Sequence, residues 1–266
     1  MKLYHVDAFT SELFKGNPAG VCILPPEDIP DERKQLIAAE LKHAETAFIL
    51  IGDESISLRW FTPEKEVDLC GHATLSAAHI LWEQLYVPAF EPIRFNTRSG
   101  VLIATQVDGK IELDFPRIAV EKCDPDHKLS EIFGTDPVYT GTDGKLIFLE
   151  IDDPGLLRTM DPDIAALAKI DPGEFLVTCR SDDARYDFIS RFFAPAVGIP
   201  EDPVTGSAHC YLAPYWSEKL GKTRMSGFQA SPRTGVVECE LTGKDRVTLR
   251  GTAITFFATD IKDPVK

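Results

Sequence analysis

A lone carboxylate, two glycine-led helix starts and an acid–hydroxyl pair are the parts of this sequence able to do chemistry. Glu45 stands in Ala44-Glu45-Thr46-Ala47, between the end of a helical pattern and the apolar stretch Phe48-Ile49-Leu50-Ile51. Small neighbours and apolar sequence beyond would leave its carboxyl partly desolvated, which raises a carboxyl pKa toward the range of a proton carrier. The competing reading is a solvated loop glutamate. Gly71-His72 follows Asp68-Leu69-Cys70, and Gly206-Ser207 follows Glu201-Asp202-Pro203-Val204-Thr205. Each opens an apolar helix pattern, where unpaired N–H groups and the positive end of the helix dipole favour a carboxylate. The glycines also read as residues that merely permit tight turns. His72 reads either as a proton-handling group or as a donor to a backbone carbonyl.

The two helix starts belong to a repeat. Gly71 matches Gly206, Ala73 matches Ala208, Glu83 matches Glu218 and Leu85 matches Leu220, all at one offset (206 − 71 = 135). Arg98-Ser99-Gly100-Val101 lies opposite Arg233-Thr234-Gly235-Val236 at the same offset. Upstream, Leu58-Arg59-Trp60-Phe61-Thr62-Pro63 resembles Ser190-Arg191-Phe192-Phe193-Ala194-Pro195 at a smaller one (191 − 59 = 132). The second copy therefore carries three extra residues before its glycine, and Glu201 and Asp202 read as that addition. An ordered series of matches marks a duplicated unit of about half the chain.

The elements that must position these residues follow from pattern. Ala73, Leu75, Ala77, Ala78, Ile80, Leu81, Trp82 and Leu85 surround the first helix, and Ala208 to Leu220 does the same in the second. A helix apolar all round, in a chain without a membrane-length apolar run, is a core helix. Short alternating strands flank both, which predicts an α+β protein of two pseudo-symmetric domains, each a barrel-like mixed β-sheet around a central helix. Pro30-Asp31-Glu32 opens a helix whose Leu36, Ile37 and Leu41 share a face, and a further helix is expected near 161–170. Asp108-Gly109 predicts a hairpin. Pro214 is expected to bend the second central helix or end its first part. The poorly periodic stretch 116–128 sets the boundary, giving domains 1–120 and 121–266.

With 266 residues, 44% apolar and 26% charged, the composition is that of a globular protein with a sizeable core. Lys and Arg total 28 against 42 Asp and Glu, a formal charge of −14, which argues against a nucleic-acid partner. No targeting segment is read, and six scattered cysteines without Cys-x-x-Cys pairs read as free thiols of a cytoplasmic protein. Cys70 with His72 resembles part of a metal site, but no second pair stands at ligand spacing, so no metal is expected. No Gly-x-Ser-x-Gly elbow, dinucleotide fingerprint or phosphate loop is present.

The combination Tyr4-His5-Val6-Asp7-Ala8-Phe9, Gly16-Asn17-Pro18-Ala19-Gly20-Val21, Glu45-Thr46-Ala47-Phe48, Phe61-Thr62-Pro63, Cys70-Gly71-His72-Ala73-Thr74, Phe193-Ala194-Pro195, Glu201-to-Ala208 and Gly251-Thr252-Ala253 resembles the PhzF-like family. These are the phenazine-biosynthesis relatives of diaminopimelate epimerase. The resemblance implies an active site in a cleft between two similar domains, and a cofactor-free, metal-free proton shift on a small carboxylate. Glu45 would be the general base and acid, and His72 would assist or orient. Asp202 and Ser207 would complete the polar set, and the backbone at Gly71 and Gly206 would hold the carboxylate. Neither a nucleic-acid nor a membrane partner is implied, and a homodimer is the expected assembly. Cys70 has Thr205 as its repeat equivalent, so an epimerase working by two facing thiols is disfavoured. An epimerase pairing Glu45 with Asp202 or His72, and a non-catalytic acid-binding or partner-binding relative, are the alternatives.

Overall fold

The computed structural model describes residues 1–53, 55–124 and 126–262. The chain divides into two compact units, one of Met1–Asp114 with Arg250–Lys266 and one of Phe115–Leu249.

The first unit contains β1 (Lys2–Ala8), β2 (Asn17–Ile23), α1 (Asp31–Leu41), β3 (Thr46–Ile51), β4 (Ile56–Phe61), β5 (Glu66–Val67), α2 (Gly71–Glu83), β6 (Ile93–Thr97), β7 (Gly100–Val107) and β8 (Lys110–Pro116). Along the chain of the second run β9 (Glu121–Lys122), α3 (His127–Phe133), β10 (Tyr139–Thr142), β11 (Ile147–Glu150), α4 (Pro154–Thr159), α5 (Ile164–Leu167), β12 (Phe175–Arg180), β13 (Phe188–Ala194), β14 (Ile199–Asp202), α6 (Ala208–Leu220), β15 (Arg224–Gln229), β16 (Gly235–Thr242) and β17 (Arg246–Gly251). The final strand, β18 (Ala253–Asp260), runs antiparallel to β1 from Ala8↔Ala253 to Lys2↔Asp260. It therefore belongs to the first unit, which corrects the expected contiguous division into 1–120 and 121–266. Nothing in the local pattern of a closing strand says which strand it pairs with, because pairing is decided over long sequence separation.

Each unit follows one pairing programme. In the first, β2 and β3 are parallel, β3 and β4 antiparallel, β4 and β6 parallel, and β6 and β7 antiparallel. In the second, β11 and β12, β12 and β13, β13 and β15, and β15 and β16 repeat that order. The helix at the centre of each is buried. In α2 every residue from His72 to Ala78 is buried, and the helix packs on β1, β2, β3 and β18. Its two hydroxyl side chains are satisfied inside the helix, since Thr74 Oγ1 donates to the Cys70 carbonyl at 2.5 Å and Ser76 Oγ to that of His72 at 2.9 Å. The α+β architecture read from the sequence is therefore borne out.

Four local expectations change. Of the two outcomes expected at Pro214, ending the helix is the one excluded, since α6 continues to Leu220. The Cys210 carbonyl, which loses its donor because proline has no N–H, accepts instead from the Ile118 N–H at 3.0 Å. The helix expected near 161–170 shortens to α5, capped by the Asp163 side chain, and a separate helix, α4, capped by Asp153, precedes it. Pro162 biases the residue before it toward extended backbone, and Asp163 then starts a new turn. In α1, Ile37 and Leu41 pack on the core with Ala38, but Leu36 is 68% exposed. The fully buried long side chain on that helix is Lys34, held by Asp28 and Asp31.

The fourth change concerns the repeat. Trp60 faces Val67 across β4 and β5, and Phe192 faces Asp202 across β13 and β14. Arg59 grips Glu66 through Nε and Nη2 at 2.7 and 2.8 Å, and Arg191 grips Glu201 in the same way at 2.7 Å for both bonds. Glu201 is thus the counterpart of Glu66, and Asp202 the counterpart of Val67. These two residues are not an addition. The extra residues lie upstream, where the short 3-10 turn Pro195–Val197 stands.

Candidate active site

In the first unit the α1–β3 connection delivers Glu45 immediately before β3, with its carbonyl accepting from the Gly20 N–H at 3.3 Å. Thr46 behind it is fully buried, while the Glu45 side chain stays 18% exposed. The start of α2 delivers His72, whose Nε2 lies 3.5 Å from Glu45 Oε2. The other ring nitrogen, Nδ1, meets the Cys70 thiol at 3.5 Å. Burial, aided by the nearby His43, pushes the His72 pKa down to about 3. At neutral pH the imidazole is therefore uncharged, so its contact with Glu45 is a polar contact between a carboxylate and a neutral ring. Its Nε2 makes no hydrogen bond.

Cys70, His72 and Glu45 consequently form a cluster, with the thiol at one ring nitrogen and the carboxylate at the other. One ligand atom from each lies within 4.8 Å of the other two, so these residues could also hold a metal ion. Local spacing pointed to Cys70 and His72 alone. The third donor comes from a segment 25 or more residues away in sequence, brought in by the sheet (70 − 45 = 25). Beside them, His43 Nε2 lies 2.9 Å from His5 Nδ1, and His5 Nε2 lies 3.4 Å from the buried Asp7 carboxylate.

The second unit carries the other expected group. Asp202 ends β14, and its Oδ2 accepts a 2.5 Å hydrogen bond from the Thr205 hydroxyl. Gly206 is buried and Ser207 exposed, and the Ser207 side chain makes no capping bond to α6. Sequence reasoning missed two residues here. Gln229, at the end of β15 and fully buried, bonds to Asp202 and Thr205. His209, fully buried in α6, has Nδ1 2.9 Å from the Thr205 carbonyl, and burial pushes its pKa down to about 4. Because that carbonyl can only accept, the proton of the neutral ring sits on Nδ1. The bare Nε2 packs over Gly227, where a Cβ would lie 2.9 Å from it and 2.4 Å from the Phe188 ring. That glycine is the one signal in the sequence that a bulky neighbour approaches here.

With fold and site in view, similarity to known proteins identifies the class. The sequence profile of the family described as phenazine biosynthesis-like protein matches residues 6–259. The chain belongs to this PhzF-like family, as its motifs implied. A relative from Halalkalibacterium halodurans, described as an uncharacterized isomerase, is 47% identical over 97% of both chains. The crystal structure of a PhzF-family protein from Enterococcus faecalis superposes with a TM-score of 0.91, at 41% identity and covering 97% of each chain. A predicted epimerase from Pseudomonas aeruginosa shares the fold, with a TM-score of 0.73 at 21% identity over 98% of each chain.

Proposed function

We propose that the protein is a cofactor-independent isomerase that moves a proton within a small carboxylated substrate, with Glu45 taking and returning it. One observation carries this reading: the Glu45 carboxylate meets a buried, uncharged His72 at the start of a core helix. A neutral imidazole does not lock the carboxylate into a salt bridge, so Glu45 keeps its capacity to accept and release a proton. The free N–H groups around Gly71 suit the substrate carboxylate. By the family resemblance, Gly206 would contribute backbone donors, and Asp202 and Ser207 would orient the substrate. The isomerase description of the Halalkalibacterium relative supports the reaction class.

An epimerase using Glu45 with a second acid/base is the next reading, favoured by the His72 ring nitrogen 3.5 Å from Glu45 Oε2. One experiment separates these readings from a binding protein. Small unsaturated and amino carboxylic acids are incubated with the protein in heavy water after exhaustive chelation, and followed by mass spectrometry and NMR. Deuterium uptake with a displaced double bond marks the isomerase, and uptake with inversion at one carbon marks the epimerase. Absence of any uptake, or uptake only on restoring a metal ion, would sink the proposal.

A further inference from the structure

The side chain of Gln229 spans the loop that carries Asp202, and its backbone partners assign every hydrogen in that network. The Thr205 N–H can only donate, so the amide atom it meets at 2.8 Å is Oε1. The Asp202 carbonyl can only accept, so the atom it meets at 2.8 Å is Nε2. Nε2 also lies 3.1 Å from Thr205 Oγ1 and must donate to it. The Thr205 hydroxyl has then received a hydrogen bond, and its own proton points to Asp202 Oδ2 at 2.5 Å.

This arrangement is absent from the matching place in the first unit. Phe95 faces Ile56 as Gly227 faces Phe188, and Thr97 faces Gly100 as Gln229 faces Gly235. Thr97 is therefore the counterpart of Gln229, and its hydroxyl bonds within its own hairpin, to the Gly100 carbonyl at 2.7 Å. The counterpart of Thr205 is Cys70 and that of Asp202 is Val67. The fold forms without the clamp in one unit and has it in the unit that bears the aspartate.

We propose that Gln229 is a positioning residue. It pins the Asp202–Thr205 turn and turns the Thr205 hydroxyl outward as a donor, so that Asp202 is held in one rotamer and accepts at Oδ2. A carboxylate fixed in this way meets substrate as a hydrogen-bond acceptor, suited to orienting a donor group such as a substrate amine or hydroxyl. The inference rests on the functional reading of Asp202 above.

The test uses Gln229→Met, which keeps length and burial but removes both amide functions, Thr205→Val, and Thr205→Ser as the conservative rescue. Hydrogen exchange of the segment 202–207 is measured first. It should speed up in Gln229→Met and stay at the parent rate in Thr205→Ser, and unchanged protection in Gln229→Met overturns the clamp. Turnover is then measured on the acid that takes up deuterium in the assay above. Gln229→Met and Thr205→Val should lose about 10²-fold in kcat, the cost of a misplaced group, while Thr205→Ser stays near parent. Adding Asp202→Asn to Gln229→Met should cost no more than Asp202→Asn alone, because Gln229 acts through that carboxylate. Independent, multiplying losses would mark a merely structural role and overturn the inference. Parent-like kcat in Gln229→Met beside an impaired Asp202→Asn overturns it alone, and parent-like kcat in Asp202→Asn overturns it together with the functional reading of Asp202.

Discussion

Glu45 and the buried histidines make opposite uses of desolvation. The glutamate keeps 18% exposure and a polar neighbour, whereas His72 and His209 are shut away and stay uncharged. Glu45→Gln preserves shape and hydrogen-bonding reach but removes the titratable proton. Turnover should fall by roughly 10²-fold or more, with binding of the acid little changed. A variant that exchanges deuterium at the parent rate would reduce Glu45 to a loop carboxylate. The histidines act on stability instead. Their folded pKa values, about 3 and about 4, lie below the ordinary histidine value near ~6.5. Between those limits the unfolded chain binds protons that the folded chain refuses, so their contribution is complete above about pH 6.5 and is lost as pH falls toward 4. Urea-denaturation midpoints should therefore drop between pH 7 and pH 4.5, and less steeply in His209→Gln. Parallel curves for parent and variant would exclude the assignment.

Among the elements, the repeated arginine–glutamate pair shows how context sets the worth of one motif. Arg59 is 27% exposed and shares itself between Glu66 and Asp31. Arg191 is 8% exposed, and besides Glu201 it donates to the carbonyls of Leu157 and Met160. Removing Arg191 strands a partly buried carboxylate and two carbonyls at once. Arg191→Ala should thus cost about 3 kcal/mol or more, and Arg59→Ala about 1 kcal/mol. Denaturant titration of the two variants checks the order, and equal losses would mean that burial does not separate the pairs. The same comparison explains why α6 tolerates Pro214. The carbonyl freed by the proline has a donor waiting in Ile118, so the helix need not break.

Across the chain, the last strand ties the C-terminus to the first residues. A chain ending at Leu249 would leave β1 paired with β2 alone, its other edge uncovered from Lys2 to Ala8. Hydrogen exchange should show β1 and β2 losing protection while β12 and β13 keep theirs, since the second unit retains its own sheet. Full protection of β1 in the shortened chain would contradict the assignment of β18. Among the described residues no helix is long and apolar enough to cross a membrane.

What the sequence alone determined is what depends on short-range pattern. Two core helices, the Asp108-Gly109 hairpin, the α+β class and the duplication all follow from periodicity, turn chemistry and ordered matches, which act within a few residues. Glu45 and His72 were legible as candidates because each sits beside a recognisable element boundary. Which of the cysteines would face His72, and that Glu45 would meet its other side, required the sheet to bring loop and helix start together. The offset between copies also misled: counting residues made Glu201 and Asp202 an insertion, whereas strand pairing makes them the counterparts of Glu66 and Val67. Gln229 was invisible for the same reason. Its partners are 24 and 27 residues away, and a buried glutamine is defined by the backbone groups it satisfies, which only the folded chain places around it.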